Sequence, residues 1–416
     1  MRTIHLLRKL DPAEWGGTET AIQRLFEGLR EQGVTPVAYC PRLENPPARE
    51  TQLQAGCEVR RFKGFVPALG LSAKRKRQLV AMGGNLMSFD LISALWREKD
   101  AAIMHTHTLG RIGGIARTIA KKRRIPFVVS IHGGVLDLPE KVRQSFQTAD
   151  AGGWEWGKLF GLLFRSHRLF HDADAIITCN EKEASLLREA HPAKRIVVQP
   201  HGVPLPIYRQ DHREAARAAF PQICGREVLL CVGRIDSIKN QGWLIDQAPA
   251  IFRRHPRALL VLAGACTDEA YGEQVALKIS QLGLQNQILL TGGLPPNDPR
   301  LIGLVQEASA LLLPSVSETF GLVILEAWAA GTISICSRAS GPAALIQNGH
   351  NGWLFDLDAP EIFHHAVGQV LAYPDFAKEM AQRGSKVSEG YGLGALAARV
   401  KALYEELIAA HQTCAT

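Results

Sequence analysis

The feature that most constrains this chain is an alternation that occurs twice. Short apolar runs, too short for helices, are separated by longer stretches with helical periodicity. That pattern specifies βαβ units and parallel sheets. In the first series the predicted strands are Thr3–Leu7, Pro36–Tyr39, Ala102–His105, Phe127–Ile131, Ala175–Thr178 and Arg195–Val198. In the second they are Val228–Val232, Ala258–Ala263, Ile288–Leu290, Ala310–Leu313 and Ile333–Cys336. The clearest helix is Thr18–Gln32, stopped by Gly33, and Ala395–Ala410 reads as a closing amphipathic helix. The expected class is α/β, with two Rossmann-like, doubly wound domains. A length of 416 residues suits two such cores. The join is placed in Pro204–Gln222, a charged stretch flanked by prolines. The expected divisions are 1–205, 206–390 and a terminal segment 391–416. In sheets of this kind ligands sit beyond the carboxyl ends of strands, so two facing domains would bind across a cleft.

Composition narrows the class further. Hydrophobic residues make up 46%, which excludes a disordered chain. Residues 1–205 hold 31 basic and 20 acidic side chains, whereas the remainder holds 17 and 20. The first half is therefore the basic one and is suited to an anionic partner. The eight cysteines form no CxxC pair and are read as small core residues of a reducing compartment. The N-terminus lacks the apolar core of a secretory leader, and no apolar run is long enough to span a bilayer. A cytoplasmic protein is expected, with surface contact to a membrane left open.

Three motifs follow predicted strands. Gly16-Gly17-Thr18-Glu19 opens a helix, where paired glycines and free amides admit a phosphate. It equally reads as a tight strand–helix turn. Gly233-Arg234-Ile235-Asp236-Ser237-Ile238-Lys239 places two cations within reach of one diphosphate, or leaves them solvated. Pro314-Ser315-Val316-Ser317-Glu318-Thr319-Phe320-Gly321-Leu322 precedes a helix that carries Glu326. A carboxylate can accept two hydroxyl hydrogen bonds from a sugar or ribose diol. The alternative makes Glu318 a helix cap and Glu326 a surface residue.

Glu318 and Glu326 match the E-x7-E pattern of retaining GT-B glycosyltransferases, and the surrounding PSVSETFGLVILEA resembles glycosyltransferase family 4. The remaining motifs fall in that family's order over essentially the whole chain. They are Gly16-Gly17, the HxH of His105 and His107, His132, the PHGV of Pro200–Val203, Arg234 with Lys239, the LAGA of Leu262–Ala265, and Ser340–Phe355. The resemblance implies a GT-B fold whose terminal helix crosses back to the first domain. It implies that Glu326 holds the ribose hydroxyls, while Glu318 and the amides of Phe320, Gly321 and Leu322 hold the donor sugar. Arg234 and Lys239 would neutralise the diphosphate beside Gly233, with Gly16 and Gly17 near it. His132 would lie by the anomeric carbon, and Gly264 and Leu294 by the nucleoside. Catalytic candidates are thus Glu318, His132, Arg234 and Lys239, and His107 and Thr18 are acceptor-side candidates.

The implied reaction moves a hexosyl group, with retention and without a metal or other cofactor, from a nucleotide sugar. A UDP-sugar is the first expectation. The acceptor would be a glycan or a lipid-linked sugar, as in lipopolysaccharide assembly. A GT-B sugar-nucleotide epimerase and a non-catalytic sugar-nucleotide-binding module are the competing readings.

Several other features are discounted. The DxD strings Asp172-Ala173-Asp174 and Asp356-Leu357-Asp358 are read as structural, the second following a turn at Gly352–Phe355. His105 and His107 are read as pointing to opposite sides of their strand with no third ligand near, so zinc is not expected. His201 stands where the family usually has Asn, and Ser340-Gly341-Pro342 where it usually has a glycine pair. Lys74–Arg77 and Lys121–Arg124 are basic runs, with Arg111 and Arg117 between them. Trp154–Phe170 interleaves aromatic, leucine and basic residues as an interfacial helix would. These features suggest docking on an anionic membrane or acceptor, or else a buried helix and solvated charges. No nucleic-acid module accompanies the charge.

Overall fold

The computed structural model describes residues 1–10, 16–42, 56–70, 86–133 and 154–413. The basic run Lys74–Arg77 and Cys414 lie outside them. The chain divides into two compact units. One comprises residues 1–11, 21–201 and 393–416, the other 12–20 and 202–392.

The first unit is built on a seven-stranded parallel sheet. Its order is Glu58–Phe62, Thr35–Pro41, Arg2–Leu6, Ala101–Thr106, Phe127–Ile131, Ala175–Thr178 and Ile196–Val198. The chain starts in the middle, winds to one edge, returns and winds to the other. Arg2–Leu6 and Ala101–Thr106 therefore flank the point where strand order reverses. The closing helix, Leu393–Thr413, buries Ala397, Val400, Leu403, Tyr404 and Leu407 against Ile103, Val128, Ala175 and Ile177. It passes close to helix Gly17–Glu31 at Gly28, where a Cβ would stand 2.8 Å from the Ala397 methyl and 2.9 Å from the Leu393 carbonyl oxygen.

The second unit repeats the plan with six parallel strands. Their order is Ile288–Gly292, Ala258–Ala263, Glu227–Val232, Ala308–Leu313, Ser334–Ser337 and Trp353–Phe355. Successive side chains of a strand face opposite sides. Leu229 and Cys231 join one apolar layer and Val228 and Leu230 the other. Burial on both faces explains why these strands read as continuous apolar runs. Helix Gln241–Arg254 covers one face through Leu244, Ile245 and Ala248, and helix Pro299–Glu307 covers the other through Leu301, Leu304 and Val305.

Pro204–Gln222, where the join is expected, forms helices Leu205–Arg209 and Arg213–Ala219 within the second unit. Three expectations need correction. Trp154–Phe170 is not one helix. Trp154–Glu155 pairs with Ala68–Leu69, helix spans only Lys158–Leu163, and Arg165 adopts a left-handed conformation that ends the run. Gly352–Phe355 is not simply a turn, because Trp353–Phe355 is an edge strand. Cys224 and Cys266 are exposed, while Cys40, Cys57, Cys179, Cys231 and Cys336 are buried. If the closing helix docks as described, Gly28→Ala should cost about 1–3 kcal/mol through overpacking. Denaturant unfolding would measure this, and an unchanged midpoint would contradict the docking.

Candidate active site

In the second unit the reversal point lies between Glu227–Val232 and Ala308–Leu313, and the loops after both strands carry the expected motifs. Gly233 has φ 154°, a backbone state that side chains disfavour. Its carbonyl also lies against Gly264, where a Cβ would stand 1.9 Å from the Gly233 oxygen. Asp236 shapes the turn that follows. Its Oδ1 accepts from the amides of Ile238 (3.1 Å) and Lys239 (2.9 Å), and its Oδ2 lies 3.1 Å from the Arg234 guanidinium. Lys239 Nζ then reaches Glu318 Oε2 at 2.5 Å. Further bonds stitch the two loops together: Val316 N donates to Ile238 O at 2.8 Å and Asn240 Nδ2 to Pro314 O at 3.3 Å.

Glu318 is held from a third side, where Gly341 N donates to its carbonyl at 2.8 Å. A Cβ on Gly341 would stand 2.5 Å from Phe320 N, so the departure from a glycine pair keeps the one glycine this contact needs. Gly321, at φ 88°, turns the chain into helix Leu322–Ala329. The helix begins beside Glu318, and a helix start presents amides and a partial positive charge that attract negative charge. Glu326 sits half-buried one turn further along this helix, and Leu294 packs partly against the core beyond strand Ile288–Gly292. The structure thus joins Gly233, Arg234, Lys239, Gly264, Glu318, Phe320, Gly321 and Leu322 at one sheet end. Asp236, which orients both cations, was not singled out by spacing.

At Gly16 the amide donates to Glu19 Oε2 at 3.1 Å, so the first N–H of the glycine turn is occupied by the chain's own carboxylate. A side chain at Gly17 would meet nothing within 4 Å among the described residues. Packing therefore does not explain that glycine. Thr18 lies in the first turn of the helix, half-buried.

The first unit carries a cluster of histidines. His105 and His107 do not point apart: residues two apart on a strand share a face. Their rings stack at 4.2 Å. His5, opposite His105 on the adjacent strand, is the third imidazole that was not expected, and one nitrogen from each of the three lies within 4.8 Å of the others. His107 Nδ1 meets His132 Nε2 at 2.8 Å, and the His132 ring stacks on His201 at 5.4 Å. Burial pushes the His132 pKa down to about 4, with the Arg8 charge contributing. It holds His5, His105, His107 and His201 well below the usual range. His5 escaped the sequence reading because its partner lies 102 residues away.

Two of the basic residues are not surface charges. Arg111 and Arg117 are buried, and Arg117 pairs with Asp172. Asp174 Oδ2 accepts from Phe127 N at 2.7 Å, and Asp356 lies 3.3 Å from Arg338, so both DxD strings take part in structural contacts. Lys121–Arg124 ends helix Gly110–Arg123, where positive charge complements the helix dipole.

Residues 16–202 match the glycosyl transferase 4-like domain and residues 212–387 the glycosyl transferases group 1 family. The chain belongs to this glycosyltransferase family. Relatives include D-inositol 3-phosphate glycosyltransferases. That of Nocardia farcinica is 30% identical over 54% of this chain and 51% of its own length. That of Corynebacterium jeikeium is 23% identical over 94% and 92%. The chain spans about half the length of the first curated relatives it matches. Among solved structures, Anabaena HepE in complex with UDP and glucose aligns with TM-score 0.73 at 16% identity, over 97% of this chain and 99% of that one. Sucrose-phosphate synthase of Thermosynechococcus elongatus aligns at 0.76 and 19%, over 98% and 99%. The family member thus has the GT-B fold.

The histidine cluster makes stability pH-dependent. Unfolded histidines take up protons near pH 6.5, while the buried native ones resist until pH is much lower. The unfolded state then binds more protons, so stability should fall as pH drops from about 6.5 to 5.5, above the range where carboxylates titrate. Urea unfolding across that window checks this, and a flat profile would contradict it.

Proposed function

We propose that this family member is a retaining glycosyltransferase that moves a hexosyl group from a UDP-sugar to a glycan or lipid-linked acceptor. The observation that carries the reading is the Arg234, Lys239 and Glu318 cluster beside the start of helix Leu322–Ala329. A departing nucleoside diphosphate gathers negative charge. Fixed cations and helix amides already oriented toward it lower that barrier without rearranging during the reaction. Arg234 offers a planar fork to phosphate oxygens, and Lys239 offers a mobile point charge. The proposal assigns no role to a metal. Glu318 and the amides of Phe320–Leu322 take the sugar hydroxyls, and Glu326 takes the ribose diol. Gly264 and Leu294 border the nucleoside, and Gly16 and Gly17 approach the phosphates. His132 contacts the donor sugar, while His107 and Thr18 serve the acceptor side. Retention follows from front-face attack, in which the leaving phosphate accepts the acceptor's proton. The UDP and glucose in the HepE complex support the choice of donor.

Glu318→Gln and Arg234→Ala should each lower donor hydrolysis and transfer at least about 10-fold, the scale of one lost charge-assisted bond. Product analysis with UDP-sugars would read this. Full activity in both variants would overturn the proposal, and an epimerised nucleotide sugar would replace it with another chemistry.

The proposal extends to an anionic membrane surface. No helix among the described residues is long and apolar enough to cross a membrane. Helix Lys158–Leu163 nevertheless exposes Leu159, Leu162 and Leu163 at 74%, 64% and 68%. Lys158 and Arg165 flank these leucines and are exposed. Apolar side chains rimmed by cations suit the headgroup boundary. Cosedimentation with anionic liposomes at low salt should retain the protein, and L162D/L163D should release it. Failure of the unaltered protein to bind would end this part of the reading.

A further inference from the structure

Strands Arg2–Leu6 and Ala101–Thr106 pair in parallel, with His5 opposite His105. Side chains two apart share a face, so Thr3 and His5 on one strand lie alongside His105 on the next. His107 follows just beyond. This polar seam lies in the layer covered by the closing helix, whose Tyr404 hydroxyl meets His105 Nδ1 at 2.6 Å. Ser130 Oγ takes His105 Nε2 at 2.7 Å, which commits His105 on both sides.

The other rings are joined in series. Thr3 Oγ1 meets His5 Nε2 at 3.0 Å, His5 Nδ1 meets His107 Nε2 at 2.9 Å, and His107 Nδ1 meets His132 Nε2 at 2.8 Å. A neutral imidazole carries one N–H and one lone pair. His5 and His107 spend both nitrogens in the series. If His5 donates to His107, then His107 must donate to His132; if His5 accepts, each later bond reverses with it. Only two arrangements satisfy every bond. In one, Thr3 donates, all three histidines carry the proton on Nδ1, and His132 Nε2 accepts. In the other, Thr3 accepts and all three carry it on Nε2. Any mixture sets two protons or two lone pairs against each other in a buried site, which leaves a hydrogen bond unmade.

We infer that Thr3, His5 and His107 are positioning residues that hold the ring orientation of His132 and couple its tautomer to their own through this shared hydrogen-bond series. The proton pattern can reverse along the whole series without creating a charge, so His132 can present either a donor or an acceptor while staying neutral. Burial, which disfavours the imidazolium form in each ring, supports that behaviour. The catalytic consequence rests on the proposed contact of His132 with the donor sugar; the hydrogen-bond series does not. A metal held by His5, His105 and His107 fits less well. Ligand lone pairs lie in the ring planes and must converge on the ion, whereas these rings stack and each nitrogen already has a protein partner.

The test is the ring spectrum of protein labelled with 15N-histidine, with signals assigned by single His→Asn replacements. His5, His107 and His132 should show the same tautomer, with N–N couplings across the two imidazole bonds. Thr3→Val removes the hydroxyl that donates in one arrangement and accepts in the other, so it unpairs His5 Nε2 in either case and should still leave all three rings in one shared tautomer. Thr3→Ser should keep the pattern of the unaltered protein. Differing tautomers among the three rings, in the unaltered protein or in Thr3→Val, would overturn the inference. So would shifts diagnostic of a bound metal. The unaltered protein decides the matter alone if Thr3→Val fails to fold. Donor turnover in His132→Ala is a separate measurement: full turnover would remove the donor contact and leave the tautomer result standing.

Discussion

The ion pair between Lys239 and Glu318 joins the two loops around which the candidate site of the second unit is organised. These loops follow two adjacent strands at the point where the sheet reverses its winding. Both side chains are largely withdrawn from solvent, at 21% and 12% exposure. Removing either partner would strand a poorly solvated charge, and that usually costs more than the intact pair contributes. Arg234, whose side chain is more exposed, is balanced by Asp236. The four charges cancel, and the two carboxylates hold the two cations in place. Glycine contacts at Gly233–Gly264 and Phe320–Gly341 allow the backbones to close around them.

The first unit solves a different problem at its own reversal point. There the polar groups are neutral imidazoles and hydroxyls, each matched to a partner, under the closing helix. A buried polar seam is tolerable only when its hydrogen bonds are complete. Thr3, Ser130 and Tyr404 complete this one. The basic excess of this half is used in part internally, as in the Arg117–Asp172 pair, and in part at a helix end, as at Lys121–Arg124. Its surplus of positive charge is thus a weaker guide to an anionic partner than its count suggested.

Much of the fold was legible because burial on both faces writes itself into consecutive residues. Phe127–Ile131, Ala175–Thr178 and Ala258–Ala263 were read to their ends. Two edge strands were not read, although Ile196–Val198 and Ile288–Gly292, also at sheet edges, were. Glu58–Phe62 reads Glu-Val-Arg-Arg-Phe, with the charge that edges carry against aggregation, and Trp353–Phe355 is very short. Trp154–Phe170 has a helical composition. The structure breaks it because Phe164 and Leu169 turn into the core while Leu159, Leu162 and Leu163 do not. In the second unit the motifs are contiguous, and family resemblance named Arg234, Lys239 and Glu318. The histidine series is assembled from three strands, so spacing along one strand could not reveal it, and misjudging the face of His105 and His107 hid it further.

The central claim is that the cluster at the second sheet's reversal point binds a nucleoside diphosphate through its cations. Calorimetric titration of UDP into the unaltered protein and into Lys239→Ala tests this most directly, because it needs neither the acceptor nor the sugar. Saturable binding is expected, weakened about 10–100-fold in the variant, the value of one charge-assisted hydrogen bond. Equal affinity in both proteins, or no binding of any nucleoside diphosphate to the unaltered one, would contradict it.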